Sequence, residues 1–230
     1  MRLEKASQKA IKFACLNFHY AKSVPAICTG YSVFNDKKEF CGVILFGLGA
    51  SPNINKQFNL NKGEVIELVR VALNGKQQST SKAVSISLIL TKKQIPLCKL
   101  IISFADKDHN HNGTIYQASN WYFIDECNVG DKTGYLINGI KRHQRSMMSL
   151  GKFRNNTLLN AKSIDSNATN FYTKGKYKYI YPLHKSLIPL CKQLSKPYPK
   201  KQTSAGSVTV AQQASSLQEG FNSTPALNKI

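Results

Sequence analysis

"EVIELVRVALNGKQQSTSKAVSISLILTKK", residues 64–93, decides how the rest of the chain is read. Its first ten residues are rich in β-branched and aliphatic side chains and predict a buried strand. "NGKQQSTS" (74–81) then supplies turn formers and several hydroxyls able to cap a helix. "KAVSISLILTKK" (82–93) spaces its apolar residues near a 3.6 period, and its closing lysines suit a helix C-terminus. The many β-branched residues there also fit a strand, so both assignments stay open for 82–93. A strand, a short polar turn and a helix make a natural anion cradle. The exposed N–H groups of the first helical turn and the helix dipole suit a pyrophosphate, and Gly75 permits the unusual backbone that a tight turn needs.

Other elements follow on both sides. Ile11, Cys15 and Phe18 lie on one face of an amphipathic helix over 6–18. "YSVF" (31–34) and "EFCGVILFG" (39–47) flank "NDKK", which predicts a β-hairpin. "LCKLIISFA" (97–105) is a further buried strand. "TIYQASNW" (114–121) reads as a short helix, "YFIDE" (122–126) as a strand, and "YKYIYPL" (177–183) as a late strand. The fold class expected is therefore α/β, in the α+β sense of one mixed sheet with helices. Residues 1–200 form the domain and 201–230 a disordered tail. That tail is rich in Ser, Gln, Ala and Gly and has too few large apolar groups to offset the entropy of ordering.

The 230 residues carry 32 Lys and Arg against 12 Asp and Glu, a formal net charge of +20. Such a field attracts polyanions. The charge is uneven: residues 141–200 hold thirteen Lys and Arg against one acid, Asp165. "KRHQRSMMSLGKFR" (141–154) concentrates it. Lys141, Arg142, His143, Arg145, Lys152 and Arg154 read as contacts to double-stranded DNA. No run of about 18 apolar residues is present, and the charged start does not read as a signal peptide. A cytoplasmic setting, that of a host cell for a phage protein, is expected, with six scattered cysteines as free thiols. No stable protein partner is evident from the sequence, and a homodimer stays open.

"SFADKDHNHNGTIYQASNW" (103–121) is the densest stretch chemically. From Asp108 to Ile115 it follows a calcium-loop pattern, but Ser119 stands where that pattern needs a bidentate glutamate. Asp106, Asp108, His109 and His111 are candidate ligands for a transition metal. Asp106 or His19 is also a candidate base. Tyr116 reads either as a general acid or as a packing residue, with Trp121 beside it.

The segments "HYAKSVP", "CGVILFG", "ELVRVAL", "STSKAVSISL", "SFADKDHNHNGTIYQASNW", "KRHQRS" and "YKYIYPL" together resemble the bacteriophage Mom family of DNA-modification proteins, in the family's order over roughly residues 13–200. The element order also resembles the GNAT acyltransferase fold. The resemblance implies conversion of the exocyclic N6 amine of adenine in phage DNA to a carbamoylmethylated form that hides it from host restriction. It further implies an acetyl-CoA donor and an involvement of iron. Carried onto this chain, it points to His19, Tyr20, Ser103, Asp106 and Tyr116 as catalytic. Arg70, Gln78, Ser79, Ser81 and Lys82 would hold the cofactor, and His19, Asp106, His109 and His111 would meet a metal. Tyr20 or Trp121 would stack on an extruded base. Phe104 stands where the resemblance leads one to expect Tyr, and "QQSTSK" has serine where the acyltransferase loop has glycine. The rival readings are an ordinary N-acetyltransferase of a small amine or protein, and a non-enzymatic DNA-binding protein on the same scaffold.

Overall fold

The computed structural model describes residues 1–26, 28–48, 53–144, 147 and 158–200. Residues Met1–Tyr198 form one compact unit. The expected tail, 201–230, lies outside the described residues, as do Arg145, Lys152 and Arg154.

The architecture is a mixed α/β sheet, as expected. Strands β1 (Arg2–Lys5), β2 (Cys28–Phe34), β3 (Phe40–Gly47), β4 (Val65–Leu73), β5 (Leu100–Asp106), β6 (Tyr122–Cys127) and β10 (Lys176–Pro182) form a seven-stranded sheet in the order β1-β2-β3-β4-β5-β10-β6. Only β4 and β5 pair in parallel. Helix α2 (Thr80–Gln94) makes the crossover between them, so the strand–turn–helix reading of 64–93 holds and the helical alternative for 82–93 is the observed one. Ser79 caps α2 by accepting from the Lys82 N–H at 3.2 Å, and Lys92 and Lys93 lie in its last turn. The late strand β10 inserts between β5 and β6, closing the core from a distant part of the chain.

Alternate residues of the central strands face opposite ways, which sorts the core into layers. Val43 and Leu45 meet Ile11, Ala14 and Cys15 of α1 (Gln8–Phe18). Ile44 and Phe46 meet Ala83, Val84 and Leu88 of α2 and Tyr116 of α3 (Thr114–Gln117). Leu100 and Ile102 join Cys191 of α5 (Ile188–Leu194), while Ile101 and Ala105 join the layer under α2 and α3. Burial of each such side chain contributes about 1.5–3 kcal/mol, and the strands therefore cannot slip by one residue without exposing a whole face. No disulfide links the six cysteines, four of which are buried.

A second sheet was not anticipated from the sequence. Strands β7 (Lys132–Ile137), β8 (Ile140–His143) and β9 (Thr169–Tyr172) pair antiparallel in the order β8-β7-β9. Tyr135 and Ile137 bury their side chains against Met147, Ala168 and Ala161 of α4 (Leu158–Lys162). Among the described residues no helix is long and apolar enough to cross a membrane.

Candidate active site at the split between β4 and β5

The site begins where a ladder stops. The β4–β5 pairing runs only from Val65 opposite Leu100 to Glu67 opposite Ile102, although the strands continue to Leu73 and Asp106. Just beyond, β4 carries an extra residue, Val69: Leu45 of β3 lies opposite Arg70, and Phe46 opposite Leu68. A bulge of this kind bends the strand and ends regular pairing. The Leu68 carbonyl accepts instead from the Ser103 hydroxyl of β5, at 2.8 Å. Ser103 has one proton and gives it to that carbonyl, so the Tyr116 phenol, 2.8 Å away, donates to Ser103. The relay from Tyr116 to Ser103 to Leu68 braces the two diverging strands.

This places Tyr116 in the interior. It is 7% exposed, packed between Trp121 (ring centroids 5.1 Å) and Tyr179 of β10 (5.1 Å), and burial pushes its phenol up to about 12. Trp121 is fully buried, against Tyr116 and Tyr181, so it cannot stack on a nucleobase as its place in the sequence suggested. Gly113 precedes α3 at φ 80°, and a Cβ there would lie 2.3 Å from the Tyr179 ring. Only glycine allows the Tyr179 hydroxyl to donate to the Asn112 carbonyl at 2.6 Å.

A different cluster forms at the rim. His19 ends α1, Arg70 comes from β4, and Asp106 ends β5. The His19 Nδ1 accepts from the Arg70 guanidinium at 2.9 Å and from the Ala21 N–H at 3.1 Å. Both donors claim the lone pair, so the neutral ring carries its proton on Nε2. Burial first, then the Arg70 charge and the two nearby histidines, lower His19 to about 3. It is therefore a donor through Nε2 at neutral pH and not a base. Arg70, expected beside the cofactor loop, is tied to His19; among the described residues its Nε has no partner.

Tyr20 lies between His19 (centroids 4.1 Å) and His109 (3.7 Å), with His111 edge-on at 5.6 Å. Its ring is tilted by 34° and 32° from the two imidazoles, and the residue is 44% exposed. Its hydroxyl donates to the Asp106 Oδ2 at 3.4 Å, and burial, then Asp106, raises it to about 12. The Asp106 Oδ1 accepts from the Asp108 N–H at 3.0 Å, which starts a 3-10 turn over Lys107–His109.

Asp108, whose spacing suggested a metal, is a clamp. Its carboxylate accepts from the Thr173 hydroxyl at 2.5 Å and the Lys174 N–H at 3.0 Å. Burial acts to raise this carboxyl, but those bonds and the charges of Lys141 and His109 outweigh it and hold it below the usual range. Among the described residues no group of three or more His, Cys, Asp or Glu is arranged to hold a metal ion. The set His19, Asp106, His109 and His111 does not fit iron as it stands, because the His19 lone pair is engaged and His109 is stacked on Tyr20.

On the other side of the split, α2 starts at the C-terminal end of β4. Its cap leaves the Thr80 and Ser81 N–H groups without an intrahelical partner. The Ser79 and Ser81 hydroxyls are 3.1 Å apart, Gln77 donates to the Thr80 hydroxyl at 2.9 Å, and Gln78 reaches Asp36. Lys82 is exposed in the first turn. Gly75, at φ 86°, makes the preceding turn. Lys141, Arg142 and His143 are exposed on β8. Gln117 donates to the Asn112 carbonyl, five residues back, and to the Tyr179 hydroxyl, 62 residues on; Thr173, which holds Asp108 from 65 residues away, had no local signal.

The sequence profile of the Mom protein family matches residues 1–200. This chain belongs to the Mom family. It is 30% identical over 118 residues to the methylcarbamoylase mom of Escherichia phage Mu, a match covering 49% of this chain and 47% of that protein. The match spans about half the length of that relative. Among solved structures, a variant of the spermidine N-acetyltransferase SpeG from Vibrio cholerae aligns over 83% of this chain and 99% of its own, with TM-score 0.46 and 9% identity. Arabidopsis thaliana NAA60 in complex with acetyl-CoA aligns over 79% and 97%, with TM-score 0.45 and 11% identity. At such scores the likeness carries no weight beyond the pairing and strand order given above.

Proposed function

We propose that this Mom-family protein is a transferase that modifies the N6 amine of adenine in double-stranded DNA with a carbamoylmethyl group drawn from an acetyl-CoA-type donor, shielding the DNA from restriction. The observation that carries this reading is the convergence of His19, Tyr20, Arg70 and Asp106, from three distant segments, at the open end of the β4–β5 split. Family membership over residues 1–200 supports this substrate class, and the net charge of +20 supports a polyanionic partner.

In this reading the first turn of α2 takes the donor's pyrophosphate, with Thr80 and Ser81 N–H groups, the Ser79 and Ser81 hydroxyls and Lys82 facing its charge. Attack on a plain acetyl thioester would leave an acetamide, so a carbamoylmethyl product requires, besides the two-carbon donor, an ammonia-equivalent that displaces the thiol and a two-electron oxidant that converts the methyl carbon as the N6–CH2 bond forms. Asp106 accepts a hydrogen bond from the adenine amine and draws off its proton. The Tyr20 hydroxyl orients that carboxylate, and the Nε2–H of His19 donates to the developing charge, with Arg70 fixing its tautomer. Tyr116 and Ser103 hold the split open, since the Tyr116 proton is already directed at Ser103. An amine inside a paired, stacked duplex is out of reach, so the adenine must leave the stack. Lys141, Arg142 and His143 grip phosphates.

Expression in a bacterium, digestion of its DNA and mass analysis of the nucleosides tests this. A new, heavier deoxyadenosine derivative is expected. Unmodified deoxyadenosine alone, from folded protein, refutes the reading. Acetylation of small amines without DNA would instead favour an ordinary N-acetyltransferase.

A further inference from the structure

The β7–β8 hairpin has features that the transfer reaction does not use. Its turn is Asn138–Gly139, with φ 50° and 71°, the two left-handed residues of a tight two-residue hairpin. The turn is fixed from outside: the Asn138 N–H donates to the Asp165 Oδ2 at 2.7 Å, while the Oδ1 accepts from Asn167 at 2.9 Å. Asp165 is the single acid between residues 141 and 200, and it serves this turn. On one side of the turn Ile137 is buried at 3% exposure. Directly opposite, Ile140 is 54% exposed. Leu136, also exposed, pairs with Lys141, whose ammonium sits 4.3 Å over the Phe171 ring of β9. Arg142 and His143 follow, both exposed.

A rigid tip bearing a bare isoleucine, backed at once by cations, fits a nucleic-acid duplex better than an apolar partner. The cations meet phosphates, and the aliphatic side chain has only the stacked bases to bury against. The tip is also anchored to the candidate site. Thr173 and Lys174, just past β9, hold Asp108, and the Lys107 N–H donates to the Gly175 carbonyl at 3.1 Å. The loop bearing Asp106, His109 and His111 thus shares a mount with the second sheet.

We propose that the β7–β8 hairpin is a DNA wedge: Ile140 enters a base step and loosens the adjoining adenine, while Lys141 and Arg142 clasp the flanking phosphates. This rests on the DNA-modification reading and adds the device that opens the stack. The contribution comes from pre-organisation, because Asp165 and the Asn138–Gly139 turn have already fixed the tip before DNA arrives.

The test uses the full chain with mixed-sequence duplexes in which 2-aminopurine replaces single adenines, together with anisotropy titrations over a salt series. Wild-type protein is expected to raise 2-aminopurine fluorescence in an intact duplex. Ile140→Ser is expected to abolish that rise and weaken intact-duplex binding about tenfold, while a duplex with a mismatched adenine, already unstacked, binds nearly as before. Its salt slope should be unchanged, whereas the double variant Lys141→Gln, Arg142→Gln should lose about 2 from the slope on both duplexes. Ile140→Met, still able to insert, should restore the fluorescence rise and excludes misfolding as the cause. If Ile140→Ser matches wild type on both duplexes while wild type modifies DNA, the wedge is wrong and the enzyme reading stands. If wild type neither binds nor modifies duplex DNA, both fall.

Discussion

Two tyrosines, Tyr116 and Tyr20, flank the same split and live in opposite settings. Around Tyr116 everything is closed: Trp121 and Tyr179 cover it, and its proton runs through Ser103 into a backbone carbonyl. Around Tyr20 the groups are half-open, with two imidazoles packed against its ring and a carboxylate within reach of the hydroxyl. Both phenols are raised to about 12 by burial, so their acidity does not separate them. What separates them is where the bond leads. One ends in the protein's own frame, and the other ends on Asp106 at the surface. On the function proposed above, the difference assigns packing to the first and chemistry to the second.

That contrast can be broken. Its largest test is Asp106→Asn, which keeps an oxygen for the Asp108 N–H but cannot take a proton. Modified-nucleoside yield should fall on the order of 10²–10⁴-fold, with a melting temperature close to wild type; retained yield would remove Asp106 from the chemistry. Trp121→Ala should do the reverse and cost about 3–5 kcal/mol in a denaturant titration, because it empties a fully buried site. Tyr116→Phe should cost only about 1 kcal/mol, since Ser103 keeps Leu68 as its acceptor. Activity per folded molecule should survive it. A large loss of turnover with unchanged stability would restore Tyr116 as a general acid.

The smallest effect concerns His19. Its folded pKa of about 3 lies below the ordinary imidazole value of 6.5, so between those values the unfolded chain binds more protons. Stability is therefore complete above about 6.5 and declines as pH falls toward 3. His111, lowered by burial and by His109, acts with the same sign. His19→Asn keeps an acceptor for Arg70 and cannot titrate. Thermal melts at stepped pH should show a shallower decline for that variant, and an unchanged decline would mean that other groups carry it.

The sequence made the large sheet legible because 64–93 changes period within thirty residues, and because Asn35–Lys38 punctuates an obvious hairpin. β1, "RLEK", is four residues at a sheet edge with three charges, and no periodicity could reveal it. The β7–β8 hairpin did leave a mark, Asn138–Gly139 between two isoleucines, but the basic run after it drew the reading toward charge alone. At the site, the expected residues His19, Tyr20 and Asp106 do come together. Asp108 and Trp121 were misread because their partners, Thr173 and Tyr181, are sixty or more residues away, and turn-like or aromatic composition does not reveal burial.

The insertion of β10 between β5 and β6 also bears on synthesis. Asp106 ends a strand whose neighbour, residues 176–182, is translated some seventy residues later. The loop that follows it is clamped by Thr173 and Lys174. A nascent chain holding only the first 170 residues would have His19, Arg70 and Asp106 but no frame to align them. On the proposed function, chains abandoned on the ribosome, or clipped ahead of β10, would be inert, and competence would arrive in one late step.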